Sequence, residues 1–152
     1  MEKTRVVVSG IGVISSIGIG RQSFWEGLSK GTCGTSLIES FDTSKFPTHF
    51  GGEVKDFSPE RFVPRQRLSR MGRASQLSVA AARLAIEDAG VSRAALSGAN
   101  CGVCMGTTMG ESQVLERLNE VWVSRGQEHM ESGMMLQYPC NTLAANVAIA
   151  FK

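Results

Sequence analysis

Four cysteines and two histidines are the residues of this 152-residue sequence most suited to nucleophilic or metal chemistry. Cys101 and Cys104 form a single C-x-x-C pair. A structural zinc site needs four ligands, and no second pair completes one. A redox pair places its first cysteine at a helix N-terminus, whereas this pair falls within an apolar stretch typical of a strand. We therefore interpret the cysteines as free, buried structural thiols.

Cys140 has a different setting, between Pro139 and a helical pattern that begins at Asn141. Amide groups at the start of a helix can lower the pKa of a thiol. A nucleophilic cysteine also needs a base, and the two histidines, His49 and His129, both lie in loop-like sequence. The pattern does not favour Cys140 as a nucleophile. A small free-standing binding domain that uses Cys140 remains an alternative.

The stretch that must organise the fold is the first one, residues 5–18. Its β-branched residues predict a strand buried on both faces, at the centre of an α/β sheet. Gly10, Gly12 and Gly18 allow close approach of the backbone to neighbouring elements. A dinucleotide-binding fingerprint would require a third glycine at the position of Ser15, so that function is not favoured.

Apolar residues that recur at helical spacing predict four helices, over residues 21–30, 68–89, 111–124 and 141–152. The second is predicted to be a core helix that Gly90 ends. The other segments are predicted to be a loop over 32–60 with an extended piece at 52–54, a strand over 101–105, a turn over 106–110, and a loop over 125–133.

The composition is that of an ordinary globular protein, with 42% hydrophobic and 20% charged residues. A net charge of +2 argues against nucleic acid or a membrane surface as a partner. No apolar run approaches the length of a membrane span, and the expected location is the cytoplasm. No metal site is expected. The length fits one domain.

Several separate motifs occur in an order that resembles β-ketoacyl-(acyl-carrier-protein) synthases. They are residues 5–13 (RVVVSGIGV), 41–44 (FDTS), 51–57 (GGEVKDF), 70–76 (RMGRASQ), 102–106 (GVCMG) and 141–151. The resemblance implies a thiolase-like layered α/β fold, of which residues 1–152 are the early part of the first half, without an internal boundary. It also implies decarboxylative Claisen condensation of an acyl thioester with a malonyl-carrier thioester, in fatty-acid or polyketide synthesis.

In that family the acyl-accepting cysteine follows the segment that matches residues 141–151, and two assisting histidines come later. The resemblance therefore implies that this chain alone contains no catalytic residue and is inactive. It is expected to need the remainder of the synthase, covalently or as a partner chain, for stable folding, and the synthase is expected to be a dimer. No cofactor is expected beyond the phosphopantetheine of an acyl carrier protein. The alternative is a non-catalytic partner that resembles a chain-length factor.

The resemblance also suggests substrate and partner sites within the chain. Met109 matches an apolar residue of the acyl-chain pocket, and Met134 (or, in an alternative alignment, Met135) falls where a loop of the dimer partner closes this pocket. Methionine suits a pocket that receives flexible chains. Five arginines lie between residues 61 and 73, and positive charge attracts acidic carrier proteins. Arg65 and Arg70 are the predicted docking residues, although such a run can also be an ordinary solvated face.

Overall fold

The computed structural model describes residues 5–97 and 100–152. The chain divides into two compact units. The described part of Met1–Phe57, together with Arg83–Gly90, forms unit 1, and Ser58–Ala82 with the described part of Val91–Lys152 forms unit 2. A single undivided domain over residues 1–152 stays a prediction.

The described part of unit 1 contains two short antiparallel strand pairs, one complete helix and the last turns of a second helix. Strands β1 (Ile14–Ser15) and β2 (Gly18–Ile19) pair with Ile14 opposite Ile19. Helix α1 (Arg21–Ser29) follows directly. Two residues after its end lies Gly31, whose φ of 66° suits a residue without a side chain. The helix predicted over residues 21–30 is thus confirmed. Strands β3 (Ser36–Leu37) and β4 (Phe50–Gly51) pair within the long loop.

The predicted central strand is wrong for the described chain. Residues 5–13 form no regular secondary structure, and Val6, Val7 and Val8 are 93%, 72% and 83% exposed. The predicted strand over residues 101–105 is likewise absent, with Val103 39% exposed. A strand is held by backbone hydrogen bonds to a neighbouring strand, and no described segment pairs with either of these two. Their apolar pattern therefore does not by itself produce burial.

Gly10 and Ile11 are nevertheless fixed against the last turns of helix α3 (Arg73–Asp88). A Cβ added at Gly10 would overlap the carbonyl oxygen of Ala85 and lie 2.7 Å from the backbone nitrogen of Ala89. The Asp88 carboxylate accepts the N–H of Ile11 at 3.0 Å and lies 2.9 Å from the guanidinium of Arg21. The close backbone approach predicted for Gly10 is confirmed.

Glu53, just after β4, holds together the two ends of the loop between β3 and β4. The Glu53 carboxylate accepts the backbone N–H groups of Glu39 at 2.9 Å and Ser40 at 3.1 Å. A hydrogen bond from the Ser40 side chain first, and then the backbone N–H of Glu39, hold the pKa of Glu53 below its usual value. Lys55 in turn lies 2.6 Å from the carboxylate of Glu39. Extended structure is found at Phe50–Gly51, two residues earlier than the predicted piece at 52–54.

Unit 2 is helical. Besides most of α3, its helices are α2 (Arg65–Leu68), α4 (Arg93–Ser97), α5 (Ser112–Arg125), α6 (Ser132–Met135) and α7 (Asn141–Ala150). The predictions over 111–124 and 141–152 are confirmed to within two residues, whereas α4 and α6 were not predicted. The helix predicted over 68–89 begins later, at Arg73, and residues 69–72 separate it from α2, which was not predicted. Gly90, with a φ of 64°, ends α3 as predicted.

The core of unit 2 is apolar and lies where α3 meets α7. Its buried members are Val63, Met71, Val79 and Val147. Val114 and Leu118 of α5 are also buried, at helical spacing. Burying such side chains supplies most of the free energy that offsets the ordering of the chain.

Candidate functional site

The predicted turn over residues 106–110 is a tight loop that leads directly into α5. The backbone N–H of Gly110 donates to Oγ1 of Thr107 at 3.0 Å. Gly110 has a φ of 60°, and a Cβ added there would lie 3.2 Å from the Cα and Sγ of Cys140. The turn therefore packs closely against the first residues of α7. Met109, the predicted acyl-pocket residue, is 66% exposed on this turn.

Glu111 directly follows the turn and is almost completely buried. Only 2% of its surface is exposed. Its carboxylate accepts the backbone N–H of Ser75 at 2.6 Å and that of Ala74 at 3.1 Å. These are N–H groups of the first turn of α3, which have no partner within the helix. A carboxylate there is also favoured by the helix dipole.

The residue that would ordinarily cap α3 is Gly72, which has no side chain. A Cβ added at Gly72 would overlap the carboxylate of Glu111. The capping group thus comes from a residue far along the chain and occupies the space that a local capping side chain would fill. This explains why the helix begins at Arg73 and not at residue 68 as predicted.

A second buried polar contact lies on the same helix. Ser75 is fully buried, and its hydroxyl oxygen accepts the side-chain N–H of Asn146 at 3.1 Å. Glu111 and Asn146 therefore reach adjacent groups of Ser75, its backbone N–H and its hydroxyl. This network ties the turn over 106–110, helix α3 and helix α7 to one another.

Met134, the second predicted pocket residue, lines two cavities of about 340 and 120 Å³. Both cavities also include Arg117 and Glu131, and Gln113 and Gln137 line the larger one. Met109 lines neither of these two cavities. The substrate roles of both methionines stay predictions.

The arginine run lies at the entry to α3, with Arg65 in the first turn of α2 and Arg70 just after it. Both side chains are exposed. Neither of them, nor Arg61 or Arg67, forms an ion pair with an acidic side chain in residues 5–97 and 100–152. Their positive charge is therefore available to a partner of opposite sign.

The cysteines are free, as predicted, but the prediction that they are buried is wrong. All four are exposed. No strand among the described residues pairs with the segment around Cys101 and Cys104, and Cys140 lies at the surface start of α7. Cys140 makes no hydrogen bond to a histidine among the described residues, so no nucleophile and base pair is formed. The described residues contain no cluster of three or more metal-ligating side chains. None of their helices is long and apolar enough to cross a membrane.

Comparison with solved structures first defines the fold. The chain superposes on the ishigamide ketosynthase/chain length factor with a TM-score of 0.84 and 36% identity, covering 95% of this chain and 36% of that one. A complex of a type II polyketide synthase acyl carrier protein with its ketosynthase gives a TM-score of 0.79 at 15% identity, covering 98% and 39%. The fold is thus the thiolase-like α/β fold of ketosynthases, as the sequence predicts.

The family follows from the sequence comparisons. Residues 3–152 match the model of the β-ketoacyl synthase N-terminal domain. The 3-oxoacyl-[acyl-carrier-protein] synthase 2 of Synechocystis is 36% identical over 149 residues, or 98% of this chain. The chain belongs to the β-ketoacyl synthase family. It spans 36% of the length of the Synechocystis synthase.

Sequence reasoning missed Glu111 and Asn146. Glu111 stands just before α5, where a glutamate suggests a local role at the start of that helix, yet it makes no side-chain capping bond there. The contacts of both residues cross more than 30 positions of the chain. One local signal was available, because a glycine at the start of a strong helical pattern leaves a cap to be supplied from elsewhere.

Proposed function

We propose that this chain is the N-terminal part of a β-ketoacyl-acyl-carrier-protein synthase. The observation that supports the proposal most directly is the family match, which extends over residues 3–152. The nucleophilic cysteine and the histidine pair would be supplied outside these residues, by the remainder of the synthase or by a partner chain. No cofactor would be needed beyond the phosphopantetheine that carries the substrates.

The reaction would proceed in two stages. The acyl group of an acyl-carrier thioester is transferred to the cysteine sulfur, and the carrier thiol leaves. A malonyl-carrier thioester then loses carbon dioxide, and the resulting enolate carbon attacks the acyl carbonyl. The cysteine sulfur is the leaving group, and the product is a β-ketoacyl thioester on the second carrier.

Within this scheme, Met109 would form part of the wall that contacts the acyl chain. Its unbranched side chain adapts to chains of different length. The tight turn limits where the side chain can lie, because Gly110 packs against Cys140 and its N–H is bound to Thr107. Met134, beside the cavities of unit 2, would act near the pocket entrance contributed across the dimer.

The exposed arginines would serve carrier-protein docking. Arg65 and Arg70 make no ion pair among the described residues, so an acidic partner would not have to displace one. Charges of this kind raise the rate of encounter and orient the partner more than they add to final affinity. The carrier-protein complex of the related fold is consistent with such a partner.

A second candidate is a non-catalytic subunit that resembles a chain-length factor. The structural relative at 36% identity is a ketosynthase/chain length factor, which supports keeping both roles as candidates. The two functions differ in one chemical property. A synthase forms an acyl-enzyme on its own cysteine, whereas a chain-length factor does not.

The test is to isolate the complete protein that carries these residues and incubate it with an acyl-carrier thioester. Intact mass should increase by the mass of the acyl group less one hydrogen, and addition of malonyl-carrier protein should release a β-ketoacyl product. The Met109→Trp variant should lose long acyl donors before short ones, whereas Val123→Trp, at an 89% exposed position of α5, should not. Failure of the complete protein to acylate, while its partner chain acylates, would favour the chain-length-factor role.

A further inference from the structure

Glu111 is a buried acid whose carboxylate accepts hydrogen bonds from two backbone amides. It is 2% exposed and has no ion pair within the described residues. Its two carboxylate oxygens bind the N–H groups of Ala74 and Ser75 separately. A buried carboxylate is costly unless its hydrogen bonds are made, so this geometry is tightly specified.

The same residue is covalently next to the turn that carries Met109. Only Gly110 separates Met109 from Glu111, and Gly110 is itself confined by its φ of 60° and by its contact with Cys140. The end of the turn is thus held at two points, by the Glu111 side chain on α3 and by the Gly110 backbone on α7. Movement of the Glu111 carboxylate would be transmitted to Met109 within two residues.

We propose that Glu111 is a positioning residue that sets the place of Met109 through its paired hydrogen bonds to the start of α3. It would act on acyl-chain selection without touching the substrate. This inference rests on the proposed function for its consequence in catalysis. Its structural part, the dependence of the Met109 turn on the Glu111 carboxylate, stands independently.

The informative substitution is Glu111→Gln, which has nearly the same size. A glutamine amide offers one oxygen and one NH2 group. It can accept from Ala74 or from Ser75, but its NH2 group then faces the other N–H donor. One amide is left unsatisfied and the carboxylate charge at the helix terminus is lost. Glu116→Gln is the matched control, because Glu116 is an exposed glutamate of the same helix α5.

Two measurements on the complete synthase do not require activity. Hydrogen exchange at the amides of Ala74 and Ser75 should accelerate by about tenfold or more in Glu111→Gln and stay unchanged in Glu116→Gln. Peroxide oxidation of Met109 should change in rate, whereas oxidation of Met135, which is also exposed, should not. Unchanged exchange, or equal changes at both methionines, would overturn the proposal.

The catalytic measurement separates positioning from general loss of structure. In Glu111→Gln, KM for a long acyl donor should rise about tenfold relative to that for a short donor, with KM for the malonyl substrate unchanged. A proportional fall in kcat for all donors would indicate a purely structural role and would contradict the proposal. If the wild-type protein makes no β-ketoacyl product, the proposed function fails, and the exchange and oxidation results alone decide the role of Glu111.

Discussion

The side-chain amide of Asn146 donates a hydrogen bond of 3.1 Å to the hydroxyl oxygen of Ser75, which is fully buried. The bond joins α7 to α3 inside unit 2, beside the apolar cluster that contains Val79 and Val147. A polar bond in such a place fixes one relative position of the two helices, because any sliding would leave a buried group unpaired.

Removing this bond should destabilise the protein. Asn146→Ala and Ser75→Ala are each expected to lower the free energy of unfolding by about 1 kcal/mol, and the double variant by less than the sum. The measurement is denaturant unfolding of the complete protein, arranged as a double-mutant cycle. Asn119→Ala, at an exposed asparagine of α5, controls for the change in helix propensity. Strict additivity would show that the bond contributes no coupling.

Among the acidic residues of unit 1, we expect substitution of Asp88 to lower the free energy of unfolding most. Asp88→Ala removes the acceptor of the Ile11 N–H and the partner of Arg21, and should cost about 2 kcal/mol of stability, mostly from the hydrogen bond to the carboxylate. The Arg21 pair adds little, since the guanidinium side is 62% exposed. Exposed Glu87→Ala is the matched control. Equal unfolding midpoints for the two variants would contradict this assignment.

Stability should also depend on the protonation of Glu53. Hydrogen bonds from Ser40 and Glu39 lower the pKa of the folded-state carboxyl below its ordinary value of 4.5. The stabilisation is therefore present above that ordinary value and is lost as pH falls through the lower folded-state pKa. Asp42 contributes in the same direction, through the Ser44 backbone N–H and hydroxyl, which lower its pKa.

Glu53→Gln is expected to flatten the acid side of the stability profile without abolishing its slope, because Asp42 still titrates. The measurement is the urea midpoint as a function of pH for wild type and variant. Glu120→Gln, at an exposed position of α5, should keep the wild-type slope. A Glu53→Gln profile parallel to the wild type would show that this carboxylate is not linked to folding.

Reversing the charges of Arg65 and Arg70 should weaken binding of an acidic acyl carrier protein. Arg65→Glu with Arg70→Glu is expected to raise Kd by about tenfold or more at low salt, mainly through a slower association rate. The difference should shrink as salt is added, since the charges are exposed. Lys30→Glu with Lys45→Glu changes the net charge equally at exposed sites of unit 1 and should have a smaller effect. Equal losses in the two double variants would argue against a local docking site.

Helix α1 and helices α5 and α7 could be predicted because their signals are local. Apolar spacing suffices to place them, and Gly31 marks the end of α1. The central strand predicted from residues 5–18 failed over residues 5–13 for the opposite reason. Valines at 6, 7 and 8 are typical of a strand, but pairing depends on another segment, and the sequence pattern contains no information on whether one is present.

In the candidate site, too, local features could be predicted from the sequence and long-range contacts could not. The turn with Met109 and the arginine run were found from residue types and family motifs. Glu111 was not, because its function as a cap depends on Ala74 and Ser75, more than 30 residues earlier. Its local position at the start of α5 predicts a different partner. Long-range polar contacts of this kind become visible only when the chain is folded.

The division of the chain has a consequence for engineering hybrid synthases. Unit 1 is discontinuous, since Ser58–Ala82 of unit 2 is inserted between its two segments and the second segment begins within helix α3. A single crossover between related genes anywhere from codon 58 to codon 82 would therefore combine the two segments of unit 1 from different parents. Exchange of unit 1 as an intact module requires three junctions, after residues 57, 82 and 90, and the second lies inside a continuous helix. Gene shuffling of this region should be most productive when parents share the sequence around Ala82 and Arg83.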